Sequence, residues 1–319
     1  MAPDRGMAGR VRRQARLREQ ESEYQQECMQ GAVHGFILHS PLNPDLVYPM
    51  PELPEVETTR RGIEPRLLGK TLEAVKIRDR RLRWPVPVKL GAQLSGKKLL
   101  SIKRRGKYLL FDFGGVFQLV HLGMSGSLRF VGRDEPATVH DHVDWLFEGG
   151  ETLRLRDPRR FGAVLLTDDP ANHPLLARLG PEPLTDEFDG GYLHAACRGR
   201  RTSIKNLIMD SKIVVGVGNI YASESLFRAG IRPGRAAGRL TRAECAKLAA
   251  AIKTTLQSAV NAGGSSLRDY VAADGELGYF QLHTKVYDRA GLPCKVCGTP
   301  IKKLTSGQRS TFYCPACQK

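Results

Sequence analysis

Two pairs of cysteines near the C-terminus carry the clearest chemical signal in this 319-residue sequence. Cys294 and Cys297 form one C-x-x-C pair, Cys314 and Cys317 form the other, and sixteen residues separate the pairs. This spacing is typical of four thiolates around zinc, because two such knuckles joined by a hairpin can place four sulfurs tetrahedrally. Two redox-active pairs are the alternative, but the strand–helix context of thioredoxin-like proteins is missing. We therefore predict one Zn²⁺ ion with a structural role.

The charge of the chain indicates a polyanionic partner. The chain has 49 Lys and Arg residues and 33 Asp and Glu residues, which gives a formal net charge of +16. Residues 285–319 hold seven basic residues and one acidic residue. Nucleic acid fits this balance better than an anionic membrane surface, because the sequence shows neither a long basic amphipathic helix nor a lipidation motif. With no apolar run of membrane-spanning length and no clear signal peptide, we expect a protein of a reducing cytoplasm, without a membrane partner.

Short β-rich segments follow a first helix predicted over residues 55–68, which Pro65 should bend or end. Gly, Asp or Pro turns separate these segments, a pattern typical of a sandwich or barrel. The predicted strands are 72–77, 108–113, 116–121, 143–147, 152–155 and 163–167. The β-rich part should therefore end near the Pro-rich stretch 180–184.

Helical patterns dominate the next hundred residues. Helices are predicted over 202–210 and 219–229, and a capping box of Thr241 and Glu244 should open a long Ala- and Leu-rich helix that stops at Gly263-Gly264. Residues 1–49 are different, with six Arg, no Lys and six acidic residues. We expect them to be poorly ordered or the product of a misassigned start, with translation beginning at Met50; a transit peptide fits less well.

Seven motifs follow one another along residues 50–319. They are Met50-Pro51-Glu52-Leu53-Pro54-Glu55, Arg104-Arg105-Gly106-Lys107-Tyr108, His121-Leu122-Gly123-Met124-Ser125-Gly126, His140-Asp141-His142, Asp157-Pro158-Arg159-Arg160-Phe161, Gly216-Val217-Gly218-Asn219-Ile220-Tyr221 and the four-cysteine unit. In this order they resemble the formamidopyrimidine-DNA glycosylases, bacterial enzymes that repair oxidised purines. The resemblance covers nearly all of residues 50–319 and is specific through the combination of its motifs rather than through any one of them.

The resemblance implies an α+β fold. An N-terminal β-sandwich domain would span residues 50–182, a helical helix-two-turn-helix domain residues 183–284, and a zinc-finger hairpin residues 285–319. It also implies a glycosylase and lyase that acts as a monomer on damaged double-stranded DNA in the bacterial nucleoid.

The catalytic set implied by the resemblance is Pro51, Glu52, Lys107 and Arg309. If residues before Pro51 were removed, its free secondary amine could attack the sugar carbon, because an α-amine titrates near ~8. The resulting iminium would allow β- and then δ-elimination. Glu52 would protonate the sugar ring oxygen, and Lys107 would lie against the phosphate and assist the elimination. In the printed chain, however, the Pro51 nitrogen is a tertiary amide, which cannot be a nucleophile.

DNA-contacting residues also follow from the resemblance. Met124, Arg159 and Phe161 would fill the space left by an extruded base, although Met and Phe are more often core residues. Phosphate contacts would come from Lys107, His140, Arg159, Arg200, Asn219 and Arg309. His140 could equally be a structural loop residue, Arg200 part of an exposed basic loop, and Asn219 a plain helix N-cap.

Two other functions remain open at the level of sequence. A chain that retains residues before Pro51 would be a non-catalytic binder of damaged DNA. An oxidised-pyrimidine glycosylase shares the fold and the Pro-Glu start, but the set of Met124, Arg159 and Phe161 favours oxidised purines such as 8-oxoguanine and formamidopyrimidines.

Overall fold

The computed structural model describes residues 51–263 and 284–319, which belong to one compact unit, Tyr48–Lys319. The expectations for residues 1–49 and for Gly264 lie outside the described residues. The described chain opens with helix α1, Leu53–Leu67, which begins two residues before the predicted start. Pro65 lies in its last turn, and the helix ends two residues later.

Two four-stranded antiparallel sheets make up the β-rich part. The first has the order β1-β6-β7-β5 and the second the order β2-β3-β4-β8. In chain order the strands are β1 (Leu72–Ile77), β2 (Ser101–Arg105), β3 (Tyr108–Asp112), β4 (Phe117–His121), β5 (Ser127–Val131), β6 (Asp141–Phe147), β7 (Thr152–Arg156) and β8 (Ala163–Thr167). Alternate side chains such as Leu109, Val120, Trp145 and Leu155 form one buried apolar cluster. The predicted β-sandwich is confirmed.

The six predicted strands all occur, with bounds that differ by at most two residues. Strands β2 and β5 were not predicted, because their sequences, SIKRR and SLRFV, mix basic residues with few β-branched ones. A short helix, α2 (Leu90–Leu94), was also missed. Its five residues give too little length for a helical period to be recognised.

The helical part contains α3 (Gly190–Cys197), α4 (Ile204–Met209), α5 (Asn219–Ala229) and α6 (Arg242–Asn261). Helix α3 was not predicted, since two glycines at its start weaken the helical signal. The predicted capping box of Thr241 and Glu244 is present, and Gly263 follows α6 with a φ of 83°. These helices share one apolar core with the C-terminal segment, to which Val286 and Phe312 belong.

The C-terminal segment is a two-stranded hairpin flanked by the cysteine pairs. Its strands are β9 (Lys302–Ser306) and β10 (Arg309–Tyr313), paired in antiparallel register. Gln308 lies in the connecting turn with a φ of 61°. Within residues 51–263 and 284–319, no helix has both the length and the apolar character that crossing a bilayer requires.

Candidate functional site

Glu52 connects the β-rich part of the chain to the helical part. It caps α1, and its own amide donates a hydrogen bond to Glu55 Oε2 at 2.9 Å. Its carboxylate faces the start of α5, where Oε1 accepts from the Ile220 amide at 2.9 Å and Oε2 from the Gly218 amide at 2.7 Å. The N–H groups at the start of a helix have no partner within the helix, so they favour an anion. These two hydrogen bonds therefore hold the carboxylate of Glu52, the residue that directly follows Pro51, in one position.

Gly218 must be a glycine for this contact to exist. A Cβ built on Gly218 would lie 2.2 Å from Cδ and 2.4 Å from Oε1 of Glu52, far inside contact distance. The backbone of residue 218 can approach the carboxylate only because it has no side chain. The glycine pattern before Asn219 is therefore part of the site.

Burial gives Glu52 the protonation behaviour of an acid catalyst. The side chain is buried, and this raises the pKa of Glu52 to about 7, although the nearby Lys107 ammonium acts in the opposite direction. A carboxyl group with a pKa near neutrality exchanges its proton readily under physiological conditions. Glu52 can therefore donate a proton to a reacting oxygen and later take one back.

Lys107 lies in the two-residue turn between β2 and β3, close enough to Glu52 for their charges to interact. Its pKa is lowered by burial and by the Arg309 guanidinium, while the Glu52 carboxylate acts to raise it. Arg309 is exposed at the start of β10. The fold thus brings three members of the predicted catalytic set, from three distant parts of the sequence, into one electrostatic cluster next to Pro51.

Glu182 holds the turn that presents Lys107. Its Oε1 accepts from the Gly106 amide at 2.6 Å, and its Oε2 accepts from the Arg104 guanidinium at the same distance. Glu182 lies in the Pro-rich stretch that joins the sandwich to the helices. The sequence analysis did not single it out, because a lone glutamate between prolines gives no motif.

Asn219 and the buried Lys205 join the helical part to the zinc hairpin. Asn219 Nδ2 donates to the Ser310 carbonyl at 3.0 Å, while Lys205 Nζ donates to Thr311 Oγ1 at 2.7 Å and also to Asn219 Oδ1. Burial lowers the pKa of Lys205 to about 8. Sequence reasoning missed Lys205. The sequence feature that could have identified Lys205 is its place among the apolar residues of α4, where Ile204 and Ile208 are also buried.

Met124, Arg159 and Phe161 lie together on two neighbouring loops. Met124 lies between β4 and β5, while Arg159 and Phe161 lie between β7 and β8, with the guanidinium 5.2 Å from the ring centroid. Phe161 is 41% exposed, so its ring is not part of the core, and Met124 is half-buried. We call these three side chains the wedge.

His140 and Arg200 lie on two loops, one before β6 and the other after α3. His140 is half-buried just before β6, and its carbonyl accepts from the Asp157 amide at 2.9 Å. Arg200 is exposed in the loop after α3. None of the contacts found among residues 51–263 and 284–319 joins Arg200 to Glu52, Lys107 or Arg309.

The four predicted cysteines form a cluster whose Sγ atoms all lie within 4.8 Å of one another. The Cys297–Cys314 pair is separated by 3.4 Å and the Cys294–Cys317 pair by 3.9 Å. Four thiolates around one zinc ion at ~2.3 Å would be about 3.8 Å apart, so the cluster has the size of such a site. These residues fit one structural zinc ion, since all four ligands come from the protein and no position is left for a substrate.

Comparison with known families gives three matches that follow one another along the chain. Residues 50–164 match the formamidopyrimidine-DNA glycosylase N-terminal domain. Residues 179–271 match the formamidopyrimidine-DNA glycosylase H2TH domain. Residues 291–319 match the zinc finger found in FPG and IleRS, which agrees with the four-cysteine cluster.

Similar proteins agree with these matches. The formamidopyrimidine-DNA glycosylase of Thiobacillus denitrificans is 66% identical over 270 residues, which cover 85% of this chain and all of the relative. The wild-type Fpg of Lactococcus lactis, solved with DNA containing N7-benzyl-Fapy-dG, is 35% identical with a TM-score of 0.78 and covers 84% of this chain and 100% of its own. A structure of MutM with DNA containing carbocyclic 8-oxo-G is 34% identical, with the same TM-score and coverage.

Proposed function

This chain belongs to the formamidopyrimidine-DNA glycosylase family, and from that premise we propose that it excises oxidised purines from duplex DNA and then cuts the strand. The observation that supports this proposal most strongly is the position of Glu52. It follows Pro51 directly, is held by the α5 amides and has a pKa raised to about 7. A nucleophilic amine and a proton donor would thus lie side by side, which is the arrangement that covalent catalysis of base removal needs.

Pro51 supplies the nucleophile in this proposal. Its nitrogen is reactive only as a free secondary amine, so the active form is a chain that begins at Pro51. The amine attacks the sugar carbon that bears the damaged base, and Glu52 protonates the ring oxygen as the base leaves. The iminium acidifies the adjacent sugar proton, whose removal expels the 3′ phosphate; a second elimination then expels the 5′ phosphate. Lys107 and Arg309 stabilise the negative charge of the phosphates.

The wedge opens the duplex for this chemistry. Extruding a base costs a few kcal/mol of stacking, and Met124 and Phe161 offer apolar surface to replace the lost contacts. Arg159 can donate hydrogen bonds to the unpaired opposite base. His140, Asn219 and Arg200 contact phosphates and set the register, and the zinc hairpin presents Arg309 to the backbone. The protein works as a monomer on the nucleoid, without a membrane partner.

Excision assays on matched duplexes test the proposal. Duplexes of one sequence carry 8-oxoguanine, a formamidopyrimidine or thymine glycol, and the enzyme is the form beginning at Pro51. We expect release of both purine lesions followed by strand cutting, with thymine glycol a poor substrate. Clear preference for thymine glycol would instead assign the chain to the oxidised-pyrimidine glycosylases that share this fold.

A non-catalytic binder of damaged DNA is the second candidate. The observation in its favour is that the printed chain continues before Pro51, which makes the proline nitrogen an amide. Such a chain would keep the wedge and the zinc hairpin and would bind lesion DNA, but it would form no Schiff base. Binding without any borohydride-trapped complex, in every form of the chain that cells contain, would favour this function.

A further inference from the structure

Asp157 lies at the centre of the loops that carry the wedge. It follows the last residue of β7 and is fully buried. Burying a carboxylate costs free energy unless hydrogen bonds replace its water. The hydrogen bonds that Asp157 makes reach Ser125 and Gly162 on the two wedge loops, and His140 and His142 around the start of β6.

The side chain of Asp157 ties the two wedge loops together. Its Oδ1 accepts from the Ser125 hydroxyl at 2.7 Å, and its Oδ2 accepts from the Gly162 amide at 2.7 Å. Ser125 Oγ in turn accepts from the Arg159 amide at 3.1 Å. Ser125 follows Met124, and Gly162 follows Phe161. One carboxylate therefore fixes the backbone beside all three wedge residues.

The backbone of Asp157 extends the same network. Its amide donates to the His140 carbonyl at 2.9 Å, and its carbonyl accepts from His142 Nε2 at 2.8 Å and from the Arg160 amide at 3.2 Å. The loops are also in close contact elsewhere, because a Cβ on Gly123 would lie 2.3 Å from the Phe161 carbonyl carbon. The loop before β6 is thus joined to the wedge through a single residue.

We propose that Asp157 is a positioning residue for base extrusion, which fixes Met124, Arg159 and Phe161 relative to one another before DNA arrives. This inference rests on the proposed function, because it takes the wedge as the part that enters the duplex. A preformed wedge avoids the cost of ordering two loops during insertion. Both carboxyl oxygens accept a hydrogen bond, which an amide could not reproduce because one of its two terminal atoms is a donor.

Two variants and two substrates separate this role from a general structural one. Asp157→Asn removes the charge, and Ser125→Ala removes the link to the Met124 loop. Ser127→Ala is the matched control, because Ser127 lies half-buried two residues away at the start of β5. Each is compared with the parent form beginning at Pro51 on a duplex containing 8-oxoguanine and on the same duplex with a pre-formed abasic site, which has no base to extrude.

We expect both variants to slow single-turnover excision of 8-oxoguanine by about tenfold while changing cleavage at the abasic site by less than about threefold. The Ser127→Ala control should match the parent on both substrates. A 2-aminopurine beside the lesion should also brighten more slowly in the variants, because its fluorescence rises as the stack opens.

Equal losses on both substrates, or no loss on either, would overturn the inference. Zinc content and circular dichroism show whether Asp157→Asn folds. If it does not, Ser125→Ala alone tests the inference, by the same comparison of 8-oxoguanine excision with cleavage at the abasic site. Failure of the proposed function would be seen differently, because the parent protein itself would then release no 8-oxoguanine.

Discussion

The carboxylate of Glu52 lies 2.7 Å from the amide nitrogen of Gly218. This hydrogen bond joins the residue that caps α1 to the start of α5, 166 residues later in the sequence. The residue next to the proposed nucleophile is therefore positioned by the helical part, which the comparisons match to the H2TH domain. Under the proposed mechanism, movement between the two parts would move the Glu52 carboxylate away from the position in which it protonates the sugar.

The pH dependence of excision should follow Glu52. Burial raises the pKa of Glu52 to about 7 in the folded protein, so it is largely protonated below pH 7 and loses its proton as the pH rises through that value. The proposed amine behaves in the opposite sense, because it must be unprotonated and titrates near ~8. We expect a bell-shaped profile of kcat/KM with its maximum between about pH 7 and about pH 8.

Glu52→Gln should remove the alkaline limb of that profile and lower excision by about 10² to 10⁴, the usual contribution of a general acid. The measurement is single-turnover release of 8-oxoguanine by the form beginning at Pro51, from about pH 5 to about pH 9. An unchanged alkaline limb in the variant would assign that titration to another group.

The space at Gly218 offers a separate test of the same contact. Gly218→Ala places a Cβ 2.2 Å from Glu52 Cδ, so the carboxylate must leave its position. We expect excision to fall by at least about tenfold, because a small misplacement of a catalytic group is costly. Gly234→Ala is the matched control, since no heavy atom lies within 4 Å of a Cβ at that position. Equal activity of the two variants would show that the placement of Glu52 does not limit the reaction.

Loss of the zinc site should affect the hairpin and leave the sandwich folded. In Cys297→Ser the ion loses one of four thiolates, and a structural zinc contributes much of the folding free energy of such a small unit. We expect reduced zinc content by metal analysis and weaker binding to lesion DNA, because Arg309 is no longer held in place. The near-ultraviolet circular dichroism of Trp145, buried in the sandwich, should not change. Full zinc content with unchanged affinity would contradict the four-cysteine site.

Local patterns predicted the units of this fold well. Short β-rich segments between Gly, Asp or Pro turns located six strands, and the capping box of Thr241 and Glu244 located the start of the long helix. Cysteine spacing located the metal cluster, because metal ligation restricts sequence separation strongly. Family resemblance added the residues of the site. Periodicity alone could not have predicted that Glu52, Lys107 and Arg309 lie together beside Pro51.

Long-range partners were beyond sequence reasoning. Glu182 and Lys205 act through contacts with residues far away along the chain, and nothing adjacent to them identifies those partners. Asp157 lies in a recognised motif, but its link to Ser125, 32 residues earlier, is likewise absent from the local pattern. A buried lysine in particular contradicts the usual preference for exposed lysines. Its three hydrogen-bond acceptors in α5 and β10 become evident only once the helices and the zinc hairpin are packed together.

The most direct test of the account is to trap the nucleophile. The form beginning at Pro51 and a matched form that retains Met50 are each incubated with 8-oxoguanine DNA and borohydride, and the cross-linked peptide is identified by mass spectrometry. We predict a covalent complex at the Pro51 amine in the first form and none in the second. Equal trapping by the form that retains Met50, or a cross-link at Lys107 or Lys205, would contradict the central claim that the Pro51 amine is the nucleophile.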